Sequence, residues 1–263
     1  MAVDLVLNNN GVQFADGGVM STTQQLGMQN RLHNGLFNIN QRAVSGTVTL
    51  AAGAYGHDRW KAGAGGCTYT FATTAGVTTL TISAGTLQQV IEGANLESGT
   101  HVLSWTGTAQ ARIDSGAYGA SGITGTSVGG TNQTIEFGTG TVSLPQYEVG
   151  TTPSKFAYRP IGLELALCQR YYEAITTGWI IGYSAALANL NLQWRIPKRA
   201  SPTVAMATNG SAVGNGISNS ITGASTIVGY VDGAYMDLSG GTAWTAAAAY
   251  SWRGGQVTGN AEL

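Results

Sequence analysis

Apolar and polar residues alternate in short runs along most of the chain, and turns rich in glycine separate these runs. Alternation with a period of two is typical of β-strands that bury one face. Between residues 31 and 158 the pattern predicts eight strands, at 47–50, 67–72, 78–83, 87–91, 100–106, 110–114, 134–138 and 141–145. Eight strands in a segment of this length are typical of a two-sheet β-sandwich of the jelly-roll type.

The last third of the chain shows the same alternation. It predicts strands at 179–183, 190–196, 203–208, 227–230, 234–238 and 246–252, which we expect to form a second, sandwich-like domain. Two stretches consist mainly of Gly, Ser, Asn and Thr, and they predict long polar loops at 115–132 and 209–225.

One segment has a helical pattern instead. In "RPIGLELALCQRYYEA", Pro160 stands where the start of a helix tolerates proline, and apolar residues recur at helical spacing, at Ile161, Leu165, Cys168 and Tyr172. The pattern predicts a short amphipathic helix over residues 161–175 that links the two β-rich regions.

The first 30 residues contain short alternating runs, too few and too polar to bury a core of their own. We expect an extended arm whose strands pair with the following domain or with other copies of the chain. The sequence therefore predicts an all-β protein in four parts: an N-terminal extended arm (1–30), a jelly-roll β-sandwich (31–158), a short linking helix (159–177) and a C-terminal β-sandwich-like domain (178–263).

Composition agrees with this architecture and excludes some partners. The 39 glycines are expected of many tight turns. A formal net charge of −1, with 10% charged residues, provides no field to attract nucleic acid or anionic lipid. No apolar run approaches the roughly 20 residues of a membrane-spanning helix, so we expect no membrane insertion. The two cysteines, Cys67 and Cys168, are expected to be buried apolar residues.

Candidate chemistry concentrates in "GHDRWKAG", where Asp58, Arg59 and Trp60 follow one another. As a core element, Trp60 fills the sandwich interior while Asp58 pairs with Arg59 or with turn amides. As a sugar-binding surface, the indole covers one face of a pyranose and the charged groups bind its hydroxyls. As a glycosidase site, Asp58 needs a second carboxylate facing it, and the next acid in the sequence is Glu92.

Aromatic residues are dense in the last third of the chain, and we expect most of them to belong to the core. Tyr235 and Trp244 are predicted near loop tips, which makes them candidates for a ligand platform. The three histidines, His33, His57 and His101, lack the spacing of a helical zinc motif. We expect no catalytic site, no metal site and no cofactor.

Five blocks of the sequence carry a resemblance to a known family, in the order "NRLHNGLFNINQR", "AAGAYGHDRWKAG", "LSWTGTAQARI", "PQYEVGTTPSKFAYRP" and "ELALCQRYYE". They resemble a jelly-roll module that is widespread in tail-fibre and other appendage proteins of tailed bacteriophages. Upstream, "VQFADGGVMSTTQ" looks like a repeat of phage fibre shafts. Downstream, "WRIPKRASPTV" is similar to a strand–turn–strand of phage fibre tips.

The resemblance implies a non-enzymatic structural protein of the virion, made in the host bacterial cytoplasm and assembled as a homotrimer. It also implies attachment to other virion proteins through the N-terminal arm and contact with host-surface polysaccharide. The alternative is a capsid-decoration or neck protein without receptor binding, because both kinds of protein use an arm and compact β-domains. A polysaccharide depolymerase is normally built on a long parallel β-helix, and the sequence contains no such repeat.

Overall fold

The computed structural model is all-β with one short helix, which confirms the predicted fold class. The structure describes residues 6–8, 11–13, 19–20, 28–176, 178–182, 184, 188–214, 217–239, 244–245 and 247–263. The chain divides into two compact units, Met1–Glu164 with Leu263 and Leu165–Glu262, so the division falls inside the helix. No helix in the described ranges has the length and hydrophobicity needed to span a membrane.

Three short strands of the arm form a small antiparallel sheet in the order β1-β2-β3: β1 (Val6–Asn8), β2 (Gly11–Gln13) and β3 (Val19–Met20). The sequence predicted that strands of the arm pair with another domain or another copy. In the structure they pair with one another, because so few residues separate β1 from β2 that a hairpin can form. Residues 28–30 of the predicted arm are described and Asn30 is buried, whereas 1–5, 9–10, 14–18 and 21–27 lie outside the described residues.

Eight further strands build the first unit: β4 (Val48–Leu50), β5 (Lys61–Thr74), β6 (Val77–Ile91), β7 (Gly99–Thr106), β8 (Ala111–Ile113), β9 (Ile123–Ser127), β10 (Gln133–Phe137) and β11 (Gly140–Val149). Their hydrogen-bonded order is β4-β5-β6-β11-β7-β9, and β10 pairs with β6 and β8. Side chains from all eight strands form or pack against one core, in which Trp60, Tyr69, Phe137 and Tyr147 are fully buried.

Strand β6 joins two segments that the sequence predicted as separate strands, 78–83 and 87–91. Gly85, at φ 69°, lies between them, and a Cβ there would be 2.1 Å from the carbonyl oxygen of Gly66. The pairing of β5 with β6 shifts register on both sides of this point, as in a β-bulge. Before Gly85 the strand pairs with β11, and after it with β10. The glycine therefore lets one strand bend, so that its first part pairs with β11 and its second part with β10.

The helix α1 (Ile161–Gln169) begins as predicted but ends before residue 175. The residues that follow form strand β12 (Tyr172–Ile175), in which Glu173 and Ile175 are buried. The sequence after residue 170 fits a period of two as well as a helical period. Pairing with a strand from the far end of the chain, Gln256–Asn260, decides between the two.

The predicted apolar face of α1 is also partly wrong. Ile161 and Leu163 are exposed, whereas Glu164 is buried. The Glu164 carboxylate accepts a hydrogen bond from the backbone N–H of Asn34 and forms an ion pair with Arg159 at 3.0 Å. These contacts compensate the burial of a charge and orient the first turn of the helix.

The second unit contains β12 and nine more strands: β13 (Gly178–Gly182), β14 (Ala188–Gln193), β15 (Thr203–Thr208), β16 (Ser211–Gly214), β17 (Ile217–Ser220), β18 (Gly223–Gly229), β19 (Gly233–Ser239), β20 (Ala249–Arg253) and β21 (Gln256–Asn260). One sheet has the order β17-β16-β20-β13-β14-β19-β18, and the other β12-β21-β15. Both contribute to one core, through Ile175 and Val257 from the small sheet and Leu190, Met236 and Tyr250 from the large one.

Both predicted long loops contain strands. The segment 115–132 includes β9, which pairs with β7, and the segment 209–225 includes β16, β17 and the start of β18. Strand β21 was not predicted either. Gly and Asn, which are frequent in these segments, have weak strand preference, so pairing with the partner strands determines the strand conformation there.

Candidate functional site

The first candidate cluster, Asp58, Arg59 and Trp60, lies inside the first unit, and no side chain of the three is more than 1% exposed. The Asp58 carboxylate accepts hydrogen bonds from the backbone N–H and the side-chain amide of Gln41, at 2.7 and 2.8 Å. Arg42 Nη1 lies 3.9 Å from the same carboxylate. Asp58 therefore ties the segment of Gln41 and Arg42 to the turn that precedes β5.

Arg59 and Trp60, which follow Asp58, also make hydrogen bonds within the first unit. Arg59 adopts a left-handed backbone conformation, with φ 71°, and its guanidinium donates to the carbonyl oxygen of Val90 at 2.6 Å. The Trp60 indole N–H donates to the carbonyl oxygen of Asn34 at 3.0 Å, and its ring packs against Phe37 with centroids 5.0 Å apart. The structure thus places the cluster in the core, where an external ligand does not reach these side chains.

Several of the blocks that carry the family resemblance meet around Asn34. Its side-chain amide donates to the carbonyl oxygens of Ile39 and Asp58, at 2.8 and 3.0 Å, and its backbone N–H donates to Glu164. Arg159, from the fourth block, pairs with the same glutamate. These motif residues form one buried hydrogen-bonded network. Their role in stabilising the fold is sufficient to explain their presence in the sequence blocks.

The "QYEVG" block has a similar role at the end of β11. The Glu148 carboxylate is buried and accepts hydrogen bonds from Gln146 Nε2 at 2.8 Å and from the backbone N–H and hydroxyl of Ser154, at 2.8 and 2.7 Å. Gln146 Oε1 accepts from the backbone N–H of Ala157 at 2.7 Å. The two side chains therefore fix the segment that leaves the sheet toward α1.

His57, next to this cluster, predicts a pH dependence of stability. Its ring is buried, with Nδ1 2.9 Å from the Tyr69 hydroxyl, and burial lowers its pKa from 6.5 to about 4. As the pH falls, the unfolded chain takes up the proton first. The stabilisation from neutral His57 is therefore complete above pH 6.5 and is lost between pH 6.5 and 4, by about 3 kcal/mol.

This pH dependence can be measured by urea unfolding of the wild type and of His57→Gln between pH 7 and 4. The glutamine variant does not titrate, so its stability should fall less steeply than that of the wild type as the pH is lowered. Two parallel curves would contradict the assignment, since all other titrating groups are common to both proteins.

Of the two candidates in the second unit, Trp244 lies in the core and Tyr235 on the outer surface. Trp244 is 3% exposed and packs edge-on against Tyr250, with centroids 5.2 Å apart, so it offers no ligand platform in this conformation. Tyr235, on β19, is half-buried, and its hydroxyl donates to the Asp237 carboxylate. Tyr235 lines a concavity of the surface.

The outer face of the seven-stranded sheet carries an exposed aromatic that the sequence analysis did not single out. On β13, Ile180 is fully buried, whereas Trp179 and Ile181 are 66% and 47% exposed. On β14 the same alternation buries Leu190 and exposes Asn191. Among the residues that the structure describes, Trp179 is the most exposed large apolar side chain. An indole in this position is available for contact with a ligand.

A row of cross-strand neighbours crosses this face: Ser251, Trp179, Asn191 and Tyr235 occupy paired positions on β20, β13, β14 and β19. Two adjoining concavities lie along the row. The larger, of about 450 Å³, is lined by residues that include Trp179, Ser251 and Arg253, and the smaller, of about 260 Å³, by residues that include Tyr230, Asp232 and Tyr235. Asn191 and Gln193 line both. We call this surface the Trp179 face.

Three polar side chains of the Trp179 face are available to a ligand. The side chains of Asn191, Gln193 and Arg253 make no hydrogen bond to any other residue that the structure describes. An exposed indole beside amide and guanidinium donors suits a sugar, because the ring covers the apolar side of a pyranose and the donors bind its hydroxyls. Among the described residues that line the two concavities, Asp232 is the one acid, so these residues do not include the facing pair of carboxylates required for glycoside cleavage.

The sequence did contain a signal for Trp179. In "GWIIG" a strand period of two places Trp179 and Ile181 on one face and Ile180 on the other. All three are apolar, so the pattern does not say which face meets solvent. That depends on the position of the core sheet, which only the fold provides.

Among the residues that the structure describes, no three His, Cys, Asp or Glu side chains are placed to hold a metal ion. Cys67 and Cys168 are buried, and neither forms a disulfide. Comparison of the chain with protein-family models, with curated proteins and with solved structures finds no match.

Proposed function

We propose that the chain is a non-enzymatic structural protein of a bacteriophage virion, a tail fibre or similar appendage, that binds host-surface glycan through the Trp179 face. The ordered sequence blocks support the first part, through their resemblance to phage appendage modules. The second part rests on one observation: Trp179 is 66% exposed on a strand that is paired on both sides, beside donors without partners in the described chain.

The rigidity of the sheet supports a binding role. Trp179 and Asn191 sit on central strands that are paired on both sides, so their backbones are already ordered before a ligand arrives. Binding then loses little backbone entropy, and the main gain is burial of the indole against a sugar ring. Such an aromatic anchor typically dominates the affinity of its site.

The direct test is Trp179→Ala. We expect the purified variant to adsorb to host cells or their polysaccharide about 30-fold more weakly, corresponding to about 2 kcal/mol for a central aromatic anchor. Ile181→Ala is the matched control, because Ile181 is exposed on the same strand and face but lines neither concavity. The thermal midpoints of both variants should stay near the wild-type value.

Equal adsorption by wild type and Trp179→Ala would contradict receptor binding through this face. Electron microscopy of the virion would then distinguish the alternative, a capsid-decoration or neck protein. Release of reducing ends from host polysaccharide by the purified protein would contradict a non-enzymatic role.

We further propose that the chain assembles as a homotrimer and attaches to other virion proteins through its arm. The two outer strands of the arm sheet, β1 and β3, each have one edge unpaired within that sheet, and such an edge can accept a strand from a neighbouring copy. Light scattering of the full chain should give three times the mass of one chain. A stable monomer would contradict the proposal.

A further inference from the structure

The two ends of the Trp179 face differ in charge. Of the described residues that line the larger concavity, Arg253, on β20 and beside Trp179, is the one with a charged side chain. Of those that line the smaller concavity, it is Asp232, between β18 and β19. A ligand along the face therefore meets a cation at one end and an anion at the other.

The two aromatic positions are separated by one intervening strand. Trp179 pairs with Asn191, and Asn191 pairs with Tyr235, so the two rings are anchored two strand spacings apart, or about 10 Å. A single sugar ring over Trp179 leaves the smaller concavity empty. Asn191 and Gln193, which line both concavities, provide donors along the path between them.

From this arrangement we infer that the ligand is an acidic oligosaccharide of at least two rings, whose carboxylate-bearing ring lies over Trp179 with the carboxylate on Arg253. The next ring passes Asn191 and Gln193 toward Tyr235. The inference rests on the proposed function and adds the chemical class, the minimum length and the orientation of the ligand.

We assign a carboxylate to the ligand because of the Arg253 guanidinium. Its planar fork can donate two parallel hydrogen bonds to a carboxylate, whereas a neutral sugar hydroxyl offers one acceptor oxygen and no opposite charge. A ring stacked on Trp179 also displaces water near Arg253, which strengthens the attraction to an anion. Asp232 repels an anion at the other end, so the orientation follows from charge as well.

The test uses oligomers of glucuronic, galacturonic and mannuronic acid with one, two and four rings, each matched by the neutral hexose oligomer of the same linkage. Calorimetric titration of the full-length protein should give at least one acidic tetramer that binds about tenfold more tightly than its neutral counterpart at low salt. The preference should shrink as salt is added. The acidic dimer should bind several-fold more tightly than the monomer.

Variants distinguish the effect of the charges that line the two concavities from the effect of the protein's net charge. Arg253→Gln should reduce binding of the acidic tetramer to the level of the neutral one, and Asp232→Asn should leave it unchanged or tighten it. Lys155→Gln is the control for net charge, because Lys155 is an exposed cation of the first unit. It should have no effect.

Failure of this inference differs from failure of the proposed function. Binding of neutral oligomers as tight as that of acidic ones, binding of no acidic oligomer, or an acidic preference that survives Arg253→Gln would overturn the inference. If Trp179→Ala still abolished adsorption to host cells, the proposed function would stand. Adsorption that does not depend on Trp179 would contradict both the inference and the proposed binding through the Trp179 face.

Discussion

Replacement of Trp60 by alanine is expected to lower the free energy of unfolding of the first unit by about 3–5 kcal/mol. The Trp60 side chain is fully buried, packs against Phe37 and Phe137, and donates its indole N–H to the carbonyl oxygen of Asn34. Alanine would leave a large cavity, and the carbonyl oxygen of Asn34 would lose one of its two donors and keep the backbone N–H of Phe37. Because a domain typically has about 5–15 kcal/mol of stability in total, the variant should be close to unfolding.

Trp179→Ala is the matched control for this prediction, because it removes the same side chain from an exposed position. Its effect on stability should lie within about 0.5 kcal/mol. Urea unfolding, with hydrogen exchange to assign the loss to the first unit, provides the measurement. A Trp60→Ala protein that unfolds at the wild-type urea concentration would refute the core assignment of this residue.

Replacement of Lys198 by methionine is expected to destabilise the second unit by a similar amount, about 3–5 kcal/mol, because it breaks a buried ion pair on one side. Lys198 Nζ is buried and donates to the Glu173 carboxylate at 2.7 Å and to the carbonyl oxygens of Gln169 and Ile196, at 2.7 and 3.0 Å. Burial lowers the pKa of Lys198, and the contact with Glu173 opposes that shift. Without the lysine, the polar partner that Glu173 keeps among the described residues is Arg195.

The double variant Lys198→Met with Glu173→Leu tests whether the loss of stability comes from the buried Glu173 charge that no longer has its lysine partner. Removal of both charges should recover part of the stability lost in the single variant. The carbonyl oxygens of Gln169 and Ile196 stay without the lysine donor, so the recovery is incomplete. A double variant less stable than Lys198→Met would contradict this explanation, and a single variant as stable as the wild type would contradict the prediction itself.

Strands with one clearly buried face were recognisable in the sequence, and β15 was predicted with its observed bounds although none of its residues is fully buried. In β14 and β19 every second residue is buried, so the alternation is visible without knowledge of the partner strand. The start of α1 was equally visible, because Pro160 marks it. Its end was not, because Tyr172–Ile175 fits two periods and only pairing with β21 selects the strand.

The candidate sites show the same limit. The sequence identified Asp58, Arg59 and Trp60 as unusual but left a core role and a binding role open. Burial decides between these roles, and burial depends on contacts with distant residues such as Asn34 and Val90. Trp179 was missed for the converse reason, since an apolar run gives no sign of which of its members faces water.

The alternation along β13 and β14 has a consequence for how this surface can change over time. Its inward residues, such as Ile180 and Leu190, are fully buried in the core, whereas the outward ones contact little of it. Point mutations at the outward positions can therefore change this surface while the scaffold stays intact. Under the proposed function, we expect single codon changes on one sheet to adapt the protein to a new host coat.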